Sequence, residues 1–419
     1  MASCTGAVAR RDLSFSPMLD LSVRVNGLEL TNPFLVASGP PGTNARVIAK
    51  AFDEGWGGVV CKTVLLDASK IANVAPRYAR MHAGPSGAQE IVGWENIELI
   101  TDRPFETWLD EFRQLKRDYP RRVLIASIME EHRREAWHEI VDRCDAAGVD
   151  GFELNLSCPH GLPERKMGSA MGQDPEIVEE ISRWVREATD KPVWAKLTPN
   201  ITDVTLPAAA ALRGGCSGVS AINTMLCVMG VNLDTLRPEP SVEGWSTPGG
   251  YSGKALRPIA LRMAMECARV VRQADVGIGP FGGAPVLSGI GGIESGDDAA
   301  QFLLVGCDCV QVCTGVMIHG YGLIRRLTHG LEAFMRKHDF RDVESFVGRA
   351  LPFFTSHADL VQRQRARHER ERSRATGSRD GNAGVRERSS TQREEKHLVP
   401  GDQHWTPESL TRQSAELAG

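Results

Sequence analysis

Eight short apolar runs rich in β-branched residues recur along the chain, with amphipathic helical stretches between them. They are Phe34–Ala37, Gly58–Cys61, Val123–Ser127, Gly151–Leu156, Val193–Leu197, Gly218–Ile222, Pro285–Ser288 and Cys309–Val312. A strand that is apolar at consecutive positions must be buried on both faces, as in parallel sheets covered by helices. FRQLKRDY, AWHEIVDRCDAAG, PEIVEEISRWVREATD, PIALRMAMECARVV and SGDDAAQFLLVG supply helices, several opening with Pro or closing on Gly as helix ends prefer. The alternation predicts an α/β fold, a closed (β/α)8 TIM barrel, with a doubly wound sheet as the alternative architecture.

The chain has 419 residues, a length that ordinarily suggests two or three domains, although such barrels often reach that size alone. The ends do not belong to the pattern. Residues 1–19 form a loose segment, rich in Ser and Ala, with Arg10 and Arg11 and no acid before Asp12. Organelle transit peptides have this composition, as do many loose termini, so plastid or mitochondrial import is expected, with the cytoplasm as the alternative. Residues 356–419 form a charged tail. Between Val361 and Pro400 it carries eleven Lys and Arg against six Asp and Glu, with few large apolar residues, and reads as solvated helix fading into disorder. An RNA-binding tail is the sharper alternative. The barrel is therefore assigned to residues 20–355.

A formal charge of −4 gives no reason to expect nucleic acid, and no uncharged apolar run approaches the ~18 residues of a membrane span. Ten cysteines are scattered through apolar segments as buried thiols. No C-x-x-C run exists, so neither a zinc ribbon nor a ferredoxin-type iron–sulfur cluster is encoded, and no metal site is expected.

Catalytic groups in such barrels sit at the C-terminal ends of the strands. Here those ends carry Ser38-Gly39-Pro40, Lys62-Thr63, Asn155 with Ser157 and Cys158, Lys196, Asn223-Thr224, Gly291-Gly292 and Thr314-Gly315. The glycine pair, the helix just beyond it and Thr314-Gly315 occupy the positions from which barrels build phosphate sites, pointing to a phosphorylated cofactor. A lysine aimed into a barrel mouth needs an anionic partner, because burying it unpaired costs several kcal/mol; a reduced flavin is such a partner for Lys62 and Lys196. Asn96, Asn155 and Asn223 each present a donor beside an acceptor, which suits the amide edge of a ring such as uracil. Cys158, with an ordinary thiol pKa of about 8.5, keeps its proton at neutral pH and can donate it in a reduction. Gly277–Gly282 matches G-x-G-x-x-G, but it follows a helix and runs into a strand, the reverse of a dinucleotide fingerprint.

The segments NPFLVASGPPGTN, CKT, GWENIELI, ELNLSCPHG, WAKLTPN, AINT, GGYSGKALRPIAL, SGIGGIESG and VQVCTG resemble the FMN barrel of the dihydropyrimidine dehydrogenases. They resemble the dihydroorotate dehydrogenases more distantly. The likeness spans roughly residues 20–355 and is greatest to the short, plant-type form. It implies that Ser38, Lys62, Thr63, Lys196, Gly253, Gly291, Gly292, Cys313 and Thr314 contact FMN. It further implies that Asn96, Glu98, Asn155, Ser157, His160, Asn223 and Thr224 surround the pyrimidine, with Cys158 as general acid and Lys196 steadying the anionic flavin. The reaction so implied is reduction of uracil or thymine at the 5,6 double bond. Cysteine-type dihydroorotate enzymes usually carry Asn where this chain has His160, which favours a neutral pyrimidine. Long relatives add FAD, iron–sulfur and NADPH modules that have no counterpart here. Electrons are therefore expected from NADP(H), directly or through a partner protein. A homodimer that binds neither nucleic acid nor membrane is the expected assembly. Dihydroorotate oxidation, a tRNA dihydrouridine synthase and an inactive flavoprotein subunit are the alternatives. The stretch around residues 273–284 reads as an insertion without a family counterpart.

Overall fold

The computed structural model describes residues 19–83, 90–157, 168–274 and 283–377. Cys158, His160, residues 1–18, the middle of the 273–284 stretch and the tail beyond residue 377 lie outside the described residues. The described residues fall into two compact units, one ending at Phe354 and the other beginning at Thr355.

All eight expected strands form and close into one parallel barrel: β1 (Phe34–Val36), β2 (Gly58–Val60), β3 (Val123–Ile128), β4 (Gly151–Asn155), β5 (Val193–Lys196), β6 (Gly218–Ala221), β7 (Val286–Ile290) and β8 (Cys309–Val312). Each strand pairs with its neighbour in sequence, and β8 closes on β1 through Val310 opposite Phe34. A helix follows every strand: Ala45–Glu54, Phe105–Asp118, Arg134–Ala146, Pro175–Ala188, Thr205–Arg213, Arg257–Gln273, Gly296–Leu304 and Leu323–Lys337. A doubly wound sheet is excluded by this closure.

The outer core lies between strands and helices, where Phe34, Phe52, Trp108, Phe112, Trp137, Phe152 and Phe302 are fully buried. The inner core is smaller. Leu35, Val60, Val123, Ile125, Trp194, Val286 and Cys309 fill the lower barrel, and a hairpin of Val23–Val25 and Leu28–Leu30 packs Val25 and Leu30 against them. Asn26 in that hairpin accepts the Trp194 indole N–H at 2.8 Å. Above this apolar layer the inward positions turn polar.

One excursion leaves the barrel. Tyr78–Ala83 and Glu90–Asn96, inserted after β2, join Met225–Cys227 and Gly249–Ser252, inserted after β6, in a four-stranded antiparallel sheet. In the second unit, His357–Gly377 is one helix, mostly exposed over residues 357–370, whose first turn is capped by Ser356 Oγ, which accepts the Asp359 N–H at 3.2 Å.

Candidate active site

The strand ends and the excursion sheet enclose a cavity of about 1100 Å³, counted out to its open mouth. Ser38, Lys62, Thr63, Asn96, Glu98, Asn155, Lys196, Asn223, Thr224, Gly253, Gly291, Gly292, Cys313 and Thr314 all line it. Ser157 is buried directly behind, giving a hydrogen bond to Asn155 Oδ1 and taking one from Asn223 Nδ2 at 2.8 Å. Every expected site residue within the described chain is thus brought to one place. Cys158 and His160 follow that buried serine but lie outside the described residues.

A continuous hydrogen-bond chain joins five strand ends. Ser38 Oγ meets Thr63 Oγ1 at 3.2 Å, Thr63 meets Ser127 Oγ at 2.8 Å, and Asn155 Nδ2 donates to Thr63 Oγ1 at 2.9 Å. Asn223 Nδ2 reaches Asn155 Oδ1 at 3.4 Å, and Asn223 Oδ1 accepts the Thr224 N–H at 2.8 Å. Such cross-bonding fixes each amide's orientation and leaves the remaining donors and acceptors directed at a guest. Asn96 is held from the excursion sheet, its Nδ2 donating to Gly250 O at 3.1 Å, and Thr314 Oγ1 donates to Ser252 Oγ at 2.8 Å.

Both buried lysines already have carboxylates. Lys62 Nζ lies 2.9 Å from Glu98 Oε1, which Arg77 also approaches at 3.2 Å, while the Tyr78 hydroxyl donates to Glu98 Oε2 at 2.6 Å. Burial, and then the bond to Glu98, hold the Tyr78 phenol protonated well above its ordinary range. Lys196 Nζ lies 3.3 Å from Glu153 Oε1 inside the barrel. The chain thus supplies a carboxylate counter-ion to each ammonium, a pairing not named in the sequence analysis. Cys313, beside both lysines, has its thiol pushed up to about 11 by burial, with Lys196 and Lys62 pulling it down.

The helix after Gly291-Gly292 carries a capping box: Ser295 Oγ accepts the Asp298 N–H, and Asp298 Oδ2 accepts the Glu294 and Ser295 N–H groups at 3.0 Å each. The glycine backbone itself lines the cavity. Gly292 has φ +70°, and a Cβ there would lie 2.7 Å from Gly253 O, so a side chain is excluded by conformation and by space.

The residues fit FMN. Gln311 Nε2 is fixed as the donor by Glu153 at 2.7 Å, leaving Gln311 Oε1 a buried acceptor without a partner on a cavity-lining residue. A planar group bearing ring N–H donors at one end and anionic charge at the other suits that acceptor, the two lysines and the side-chain-free glycine cradle. Tyr78, Trp94, Ser252 and Gln311 also line the cavity without having been singled out in the sequence. Of these only Gln311 carries a signal, as a polar residue inside an apolar strand.

Comparison with known proteins bears on the same region. The family described as Dihydroorotate dehydrogenase matches residues 20–335. The "Dihydropyrimidine dehydrogenase (NADP(+)), chloroplastic" of Arabidopsis thaliana is 52% identical over 95% of this chain and 88% of its own length. The chain belongs to the dihydroorotate dehydrogenase family, on its dihydropyrimidine dehydrogenase branch. The "NAD-dependent dihydropyrimidine dehydrogenase subunit PreA" of Escherichia coli is 41% identical over 79% of this chain and 77% of its own length. A "Dihydroorotate dehydrogenase B (NAD(+)), catalytic subunit" of Pyrococcus horikoshii is 34% identical over 79% and 98%. The solved structure of a DHODH from Eimeria tenella in complex with ferulenol superposes with TM-score 0.64 at 21% identity, covering 81% of this chain and 90% of that one, and supports the barrel fold alone. Among the described residues no helix is long and apolar enough to cross a membrane, and no group of side chains could hold a metal ion.

Proposed function

We propose that this dihydropyrimidine dehydrogenase reduces uracil and thymine to their 5,6-dihydro forms, with FMN in the barrel mouth and NADP(H) as the electron source, directly or through a partner protein. The observation that carries this reading is the Thr63–Asn155–Ser157–Asn223 network, which presents fixed amide donors and acceptors beside two buried ammoniums in one cavity. Ser38, Lys62, Thr63, Lys196, Gly253, Gly291, Gly292, Cys313 and Thr314 would hold the flavin, and bound FMN would supply hydride at the pyrimidine C6. Asn96, Asn155, Ser157, Asn223 and Thr224 orient the ring, Glu98 takes a ring N–H, and Cys158 gives its Sγ proton to C5. Buried Ser157 anchors the chain immediately before Cys158. A cavity already holding the Glu98 carboxylate suits a neutral pyrimidine better than one bearing its own carboxylate.

The test is anaerobic. Yellow purified protein should bleach with NADPH and regain its colour on adding uracil. Turnover of dihydroorotate with none of uracil would overturn the substrate assignment. Bleaching by dithionite but not by NADPH would assign electron delivery to a partner protein. Two further readings belong here. The arm between Met225 and Ser252 exposes Val231, Leu233, Leu236 and Trp245, an apolar stretch that a second copy would cover in a homodimer, to be checked by sedimentation. The Ser- and Ala-rich first 19 residues, together with the chloroplastic relative, support a plastid location, checked by import of that segment fused to a reporter.

A further inference from the structure

Glu153 is fully buried, lies outside the cavity lining, and has no part in the reaction as described above. It sits on β4 two residues before Asn155, so both side chains point into the barrel, with Glu153 one layer deeper. β4 and β5 pair with Asn155 opposite Lys196, which brings the lysine directly over that layer. The two oxygens of Glu153 are used differently. Oε2 accepts from Ser220 Oγ at 2.8 Å and from Gln311 Nε2 at 2.7 Å. Gln311 Nε2 lies also 3.1 Å from Ser288 Oγ, so strands β4, β6, β7 and β8 hold the carboxylate in one position. Oε1 has no hydrogen bond and faces only Lys196 Nζ, at 3.3 Å.

A buried charge pair of this kind costs stability relative to apolar packing, so its presence calls for a use. Lys196 lines the cavity and Glu153 does not, so the pair presents its positive end to whatever the cavity holds. We propose that Glu153 is a positioning residue: clamped by Ser220 and Gln311, it fixes the Lys196 ammonium at the cavity floor and offsets its charge, and so sets the reduction potential of the flavin above it. This rests on the flavin reading given above. The reduced flavin carries more negative charge than the oxidised one, so a negative charge beneath it disfavours reduction and a positive charge favours it.

The experiment is a spectroelectrochemical titration of the flavin-loaded full chain. Glu153→Gln should raise the midpoint potential by at least tenfold in the reduced-to-oxidised ratio, about 30 mV for a two-electron couple. Glu153→Asp, which keeps the charge, should return most of the way to wild type. Lys196→Gln should move the potential in the opposite direction, and adding Glu153→Gln to it should bring it back up. Damage to the fold alone would not give opposite signs. Should the single Glu153→Gln variant fail to fold, the Lys196→Gln and Lys196→Gln/Glu153→Gln pair carries the same sign test without an unpaired buried ammonium. A potential that is unchanged or lowered in Glu153→Gln, or equal in the Lys196 pair, overturns the proposal. Wild-type protein that takes up no flavin overturns the flavin reading and this proposal with it, whereas coloured protein with unmoved potentials overturns this proposal alone.

Discussion

The chain tolerates a buried ammonium at Lys62 because Lys62, Arg77 and Tyr78 converge on the Glu98 carboxylate and share its two oxygens. Cys158 is the general acid of the proposed reaction. A general acid needs its proton at working pH, and an ordinary thiol retains it. Replacing Cys158 by Ala or Ser should leave flavin uptake intact, read from absorbance of the purified protein. Turnover of uracil at neutral pH should fall by about two orders of magnitude or more, the range expected on removing a general acid. Near-normal rates in Cys158→Ala would remove it from the mechanism. The fall should be fullest at saturating NADPH and shrink as NADPH becomes limiting, because the cysteine acts on the pyrimidine and not on the electron donor.

The barrel strands are legible in sequence because a strand buried on both faces is written mostly in apolar residues, as FLV, GVV and the first three positions of VWAK are. The excursion sheet is not, for the opposite reason. Tyr78–Ala83 and Glu90–Asn96 are half exposed and mix Arg, His and Glu with their apolar residues, while Met225–Cys227 has three residues and Gly249–Ser252 four. Their pairing joins segments far apart in the chain, which no local pattern encodes. So Asn155, Asn223, Gly291 and Gly292 could be found from barrel strand ends, whereas Tyr78 and Trp94 could not. Glu153 and Gln311 are polar residues in buried strands, a signal left unread in the sequence, and their partners follow only from barrel register. Glu95, in the excursion sheet, makes this testable. It is fully buried, its Oε2 accepts the Met229 N–H at 3.0 Å, and burial raises its carboxyl above the ordinary range despite the bonds from Met229 and Gly249. An unfolded Glu ionises near about pH 4.3, while the folded one keeps its proton to higher pH. The native state then binds more protons, so stability is lost as pH rises from there through the folded value. Glu95→Gln cannot ionise and escapes that loss. Its melting temperature should gain on the wild type as pH is raised from about 4.5 until Glu95 has ionised in the folded state, and a difference that stays constant with pH would show that Glu95 takes up no proton on folding.

At the scale of the whole chain the open matter is how reducing equivalents reach the barrel. The lower barrel is filled by Leu35, Val60, Ile125, Trp194 and Val286 and stoppered by the Val25 and Leu30 hairpin, so among the described residues the cavity is reached from the strands' C-terminal side. The two units meet in sequence between Phe354 and Thr355. The helix of the second unit, His357–Gly377, is mostly exposed over residues 357–370 and rich in arginine, and Arg363 pairs with Asp359 on its own surface. Such a helix buries too little apolar surface to hold a flavin or a nicotinamide. Truncation after Ser356 should therefore leave the yellow colour, the bleaching by NADPH and the return of colour with uracil all within about twofold of the full chain, in anaerobic stopped-flow traces. The trace also separates the alternatives. If truncated protein bleaches with dithionite and is recoloured by uracil but no longer responds to NADPH, the tail belongs to electron delivery. If it handles electrons normally but loses its substrate only when that substrate is a tRNA, the dihydrouridine synthase reading is restored. Unchanged behaviour in every arm places the whole reaction, donor site included, in the barrel unit.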